Sequence, residues 1–143
     1  MEINLDNHLS LEELSCILPK SEKIDFNIPR INRIVYTTVN GKYLPIAKAK
    51  IVKNNISYNI VTDYYIDMGC EYICLVVGRV GVLLMPVDVL KYYHKFSGWK
   101  IKTTKGKQYW IRGVVRDRTI TLINSIDHSK YIDANKYFYP FKG

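Results

Sequence analysis

The spacing of apolar residues changes several times along the chain, and each change predicts an element. Leu11, Leu14, Ile17 and Leu18 form one stripe behind Ser10, with Glu13 three residues after that serine in the manner of a capping box. A short helix over about 10–18 follows, and Pro19 ends it. Ser21 to Pro29 is polar and reads as a connector. Ile31, Ile34, Tyr36 and Val39, with Thr37 and Thr38, then favour a strand; Asn40-Gly41 is a hairpin turn, and Tyr43, Leu44 and Ile46 begin the return. Lys50 to Lys53 continues extended, Asn54-Asn55 turns, and Ile56 to Val61 alternates as a third strand.

Asp63 to Glu71 reads as a polar, tyrosine-bearing loop around Gly69. Tyr72–Val77 and Val80–Met85 are unbroken apolar runs bracketing Gly78-Arg79, the pattern of a hairpin buried on both faces. Pro86 opens a second helix over about 87–96, with Val87, Leu90 and Tyr93 inward and Lys91, His94 and Lys95 on or near its outer face. Gly98 stops it. Trp99–Thr103 alternates, Lys105-Gly106 turns, Gln108–Val115 returns, and Arg118–Ile123 adds a strand after the Arg116-Asp117 turn. Alternation places Lys100 and Lys102 on the face opposite Trp99 and Ile101, and sets Trp110, Arg112 and Arg116 against Tyr109, Ile111 and Val115. Five aromatics between Tyr131 and Phe141 predict a tail that packs back onto the body.

The expected class is therefore α+β and β-rich: a small, strongly bent antiparallel sheet or partly open β-barrel with two short helices. At 143 residues and 48% hydrophobic the chain fits one domain and excludes a disordered or fibrous protein. Within it, 1–29 forms an acidic helix and connector and 30–143 a basic body. No run approaches the roughly 18 apolar residues of a membrane span. The acidic start, MEINLDNHLSLEEL, is not a secretory leader, so the expected location is cytoplasmic. Cys16, Cys70 and Cys74 are an odd set and read as free thiols. Cys70 and Cys74 could be joined on paper with His94 and His128 as zinc ligands, but no short-spaced pair exists at the histidine end. Cys74, inside ICLVV, fits a small buried hydrophobe better, so neither metal nor cofactor is expected.

Charge adds a direction. The chain carries +8, but residues 1–29 hold six acids against two lysines, a net −4, and the rest carries +12. Residues 91–118 hold nine cations against Asp117, a net +8 in 28 residues. A field of that sign attracts polyanions, and neutralised phosphates release counterions. The candidate nucleic-acid surface is Lys91, Lys95, Lys100, Lys102, Lys105, Lys107, Tyr109, Trp110, Arg112, Arg116 and Arg118. The lysines suit phosphates, Arg112 and Arg116 suit base edges through their planar guanidinium groups, and Trp110 or Tyr109 suits stacking or wedging. The acidic N-terminal segment is expected to be able to fold over this face until a ligand displaces it.

No catalytic set accompanies the charge. Gly78-Arg79-Val80-Gly81 lacks the length and lysine of a nucleotide cradle, and Ser125, Asp127 and His128 lack the sharp turn of a nucleophilic serine. The order Tyr43–Lys50, Ile56–Val61, Tyr72–Val77, Val82–Pro86 and a helix resembles restriction-endonuclease-like nucleases of mobile introns. With Lys48 in the lysine position of that pattern, Ile46 stands where an acid or glutamine belongs, so the resemblance implies a fold without the metal chemistry. The expected function is a non-catalytic nucleic-acid-binding domain, duplex DNA favoured, of the kind restriction or mobile-element systems use. The alternatives are a small phage-type effector binding an acidic surface on a host enzyme, and a degenerate metal-dependent nuclease.

Overall fold

The computed structural model describes residues 8–97, 99–117, 119–123 and 131–142; the side chains of 96–100 lie outside that description. Helix α1 (Leu11–Ile17) starts as its sequence requires. Ser10 Oγ accepts from the Glu13 amide, and the Glu13 carboxylate accepts in return from the Ser10 amide. Then come β1 (Val35–Thr37), β2 (Tyr43–Lys48), β3 (Lys50–Val52), β4 (Asn55–Ile60), α2 (Thr62–Asp67), β5 (Tyr72–Val77), β6 (Gly81–Pro86) and α3 (Val87–Ser97). The chain closes with β7 (Trp99–Thr103), β8 (Gly106–Arg116), β9 (Thr119–Ile123), β10 (Tyr131–Asp133) and β11 (Phe138–Pro140).

The strands make two sheets, and neither closes into a barrel. The first has the order β1-β2-β5-β6-β11, and the second β10-β9-β8-β4-β3 with β7 also on β8. All pairings are antiparallel except β2 with β5, which run parallel with Ile46 opposite Cys74. The bend predicted for the sheet lies at Ala49, the single residue separating β2 in one sheet from β3 in the other. The tail crosses back in the opposite sense: β10 pairs with β9, Ala134 is fully buried, and β11 pairs with β6.

Burial explains the unbroken apolar runs. Ile73, Leu75, Leu83 and Met85 pack with Ile51, Ile56, Tyr58, Leu90, Ile111 and Leu122 in the core between the sheets. Cys74, Val76, Val82 and Leu84 face the other way and pack with Leu9, Leu14, Leu18 and Ile24. Strands β5 and β6 thus have no solvated face, so no polar alternation is possible. Among the described residues of the acidic segment, from His8 on, α1 is part of this arrangement rather than a cover for the basic region. Arg79, at the β5–β6 turn, grips Glu13 through two hydrogen bonds of 2.9 and 2.6 Å, and α1 lies on the first sheet. That pairing holds the Glu13 carboxyl down at about 2.

Four other readings are corrected. The polar loop predicted after Asp63 contains α2, which buries Tyr65 and Thr62. The predicted Asn54-Asn55 turn lies one residue earlier, at Lys53-Asn54, with Lys53 in the left-handed region at φ 56°. A register shift between Trp99 and Ile101 breaks the simple alternation of β7, so Ile101 pairs with Gln108 and Lys102 with Lys107. His94 is buried, not outward. Cys70 and Cys74 are buried as well, and burial pushes the Cys74 thiol up to about 12, an inert side chain.

Candidate nucleic-acid interface

Strand β8 organises the region. Along one edge it pairs with β4, from Val114 opposite Asn55 to Tyr109 opposite Ile60. Its other edge is shared, with β7 over Gly106–Tyr109 and β9 over Arg112–Arg116. A tyrosine hydroxyl sits at the junction. Tyr93 of α3 accepts from the Arg112 amide at 3.2 Å and donates to the Ile123 carbonyl at 2.5 Å. Tyr93→Phe should cost about 1–3 kcal/mol, because a partly buried amide and carbonyl lose their bridge. A chemical melt measures the loss, and an unchanged midpoint would show that β8 and β9 close the gap themselves.

The predicted residues do not share one face. Ile111, Gly113 and Val115 point into the core, and Trp110, Arg112, Val114 and Arg116 occupy the reverse side. On that outer side the Arg112 guanidinium stands 5.0 Å over the Trp110 ring. Register sets Lys50 opposite Ser57, and Ser57 opposite Arg112, in one row across β3, β4 and β8. Asn59 lies opposite Trp110 in the next row. Lys107 has the parity of Tyr109, toward the side where α3 packs, and the exposed Lys91 and Lys95 belong to that helix. The described cations of β8 and α3 thus divide between two sides of β8. Lys102, Lys105 and Arg116 are exposed, whereas Arg118 and the Lys100 side chain lie outside the described residues.

Tyr109 has a different occupation from the one predicted. Its ring stacks on His94 at 3.8 Å between centroids, and its hydroxyl donates to Asp63 Oδ2 at 3.2 Å. His94 Nε2 lies 2.7 Å from Thr62 Oγ1, while its buried Nδ1 has no hydrogen-bond partner among the described residues. Burial holds the imidazole neutral, with its pKa lowered to about 4 against a weaker upward pull from Asp63. Sequence reasoning missed this cluster, although one signal was present: Val87, Leu90 and His94 are spaced i, i+3, i+7, a single helix face.

The resemblance to intron nucleases fares no better at its ligands. Ile46 is buried, Lys48 is exposed, and no group of three or more metal-binding side chains exists among the described residues. Comparison with protein-family models, with curated proteins and with solved structures gives no match. Among the described residues no helix is long and apolar enough to cross a membrane.

Proposed function

We propose that the chain is a non-catalytic nucleic-acid-binding domain, with duplex DNA its favoured ligand and the β7–β8 ribbon its reading element. The observation that carries this reading is the lysine pair on the ribbon. Strand β4 stops at Ile60, opposite Tyr109, so past it β7 and β8 have no further strand partner among the described residues, and they are joined at Thr104-Lys105, where Lys105 Nζ stands 5.1 Å from the Tyr64 ring centre of α2. Lys102 and Lys107 are direct cross-strand partners there, both exposed, with Lys105 in the turn. Three cationic side chains thus stand close together on one short ribbon, and a field of that sign attracts phosphate.

A two-stranded ribbon also fits the duplex major groove, about 12 Å wide. Phosphate backbones wall such a groove on both sides, so cations on opposite faces of a ribbon each meet one wall. Lys107 lies on the α3 side of β8, and Arg112 and Arg116 lie on the reverse side, farther along the strand where β9 is its partner. The Trp110–Arg112 pair at the ribbon's base offers a guanidinium for a guanine edge or a phosphate. Duplex binding by the native chain should therefore weaken steeply with salt. Lys102→Gln, Lys105→Gln and Lys107→Gln together should flatten the log–log salt slope by about 2–3, close to one unit for each phosphate no longer neutralised. Mobility shifts over a salt series with duplex DNA, single-stranded DNA and RNA test this. A slope unchanged in the triple variant overturns the ribbon as the binding element. A native chain that binds none of the three leaves an acidic protein surface as the partner this charge fits.

A further inference from the structure

Strand β3 covers β4 only as far as Ser57, so from Tyr58 to Ile60 that edge of β4 has no strand partner among the described residues. The gap opens into a cleft of about 550 Å³ beside the bend at Ala49. Its charged lining consists of Arg33 from the segment before β1, Lys48 and Lys50 from either side of the bend, and Lys105 from the ribbon turn. All four are exposed, and no carboxylate lines the cleft among the described residues. Three remote stretches of sequence thus deliver cations to one hollow. A second hollow of about 470 Å³ shares Arg33 and Lys48, so these two stand where the openings meet.

We propose that this cleft is a binding site for a phosphate-bearing ligand of nucleotide size. Convergent cations repel one another across the hollow, and a multiply charged anion removes that cost on binding. The volume lies within the range of small-molecule sites, roughly 300–1,000 Å³. The amides of Asn59 and Gln108 and the apolar side chains of Ile34 and Val61 also line it, which suits a polar-edged flat ring better than a bare inorganic ion. Such a phosphate comes either from a free nucleotide or from the end of a nucleic-acid strand. The site is distinguishable from the ribbon reading, since Lys105 is the only cation that belongs to both.

Magnesium-free adenosine 5′-triphosphate and a short DNA duplex, with and without 5′-phosphates, are the probes. Titration calorimetry should show saturable triphosphate binding that weakens about tenfold or more in a Lys48→Gln, Lys50→Gln variant. A Lys102→Gln, Lys107→Gln variant should keep it. If the triphosphate does not bind but the 5′-phosphorylated duplex outcompetes its hydroxyl counterpart through Lys48 and Lys50, the strand end supplies the phosphate. The proposal is overturned if neither probe shows phosphate-dependent binding, or if the Lys48, Lys50 variant binds like the native chain. Because ribbon lysines set the salt slope and bend lysines the phosphate effect, either reading can fail alone. All four substitutions replace exposed side chains, and circular dichroism verifies the fold of each variant.

Discussion

Gly81→Ala is expected to lower the unfolding free energy by about 3 kcal/mol, the upper range for overpacking a tight interior. A β-carbon there would lie 2.3 Å from the Tyr139 carbonyl oxygen and 2.8 Å from two ring carbons of Phe138. Both neighbours belong to β11, which pairs with β6 through Pro140 opposite Gly81 and Phe138 opposite Leu83. A backbone oxygen cannot swing aside as a side chain does, so the tail must leave its place on the sheet. Gly69→Ala is the matched control. Nothing lies within 4 Å of its added carbon, and only the left-handed backbone at φ 86° resists, which costs about 1–2 kcal/mol. Denaturant midpoints for the two variants should separate clearly. Equal losses would mean that β11 does not press on Gly81 in solution.

Acidification should remove a second large contribution, about 3 kcal/mol, through His94. Its ordinary value is 6.5 and its folded value about 4, so the unfolded chain takes up the proton first. The contribution is whole above pH 6.5 and falls as pH drops toward 4. The stacked Tyr109 and the Thr62 hydroxyl carry no charge in this range, and Asp63 of α2 offsets only part of the burial cost. His94→Phe keeps an aromatic ring beside Tyr109 and cannot protonate. Its stability should therefore change less than the native chain's between pH 7 and pH 5, above most carboxylate titration. Parallel pH profiles for the two proteins would rule out a buried neutral His94.

Local rules made much of this fold readable. The Ser10 cap and the Pro86 helix start depend on residues within a few positions and lie where the pattern puts them, whereas the two hairpin turns each take in one residue more, Val39 before Asn40-Gly41 and Val80 after Gly78-Arg79. Helix α2 was hidden because Val61 offers no side-chain cap and Thr62–Asp67 carries no long apolar stripe. Its place is held by Tyr65 in the core and by Thr62 against His94 of α3, contacts that spacing cannot reveal. The parallel β2–β5 pair is equally non-local. For the candidate sites, charge density pointed to residues 91–118 and alternation to the two faces of β8, but neither showed the irregular β7 register. Arg33, Lys48 and Lys50 fall outside that dense segment, and only the bend carries them to Lys105.

Ala49 ties the two sheets by one residue on the way in, and Ala134 sits on the route by which the tail returns. Between them the chain passes from layer to layer twice more, through α2 and through α3, and a backbone sewn in this way leaves no seam along which one layer could melt while the other persists. Protected amides in β5 and in β8 should then exchange through a common opening event, with matching free energies and matching sensitivity to denaturant.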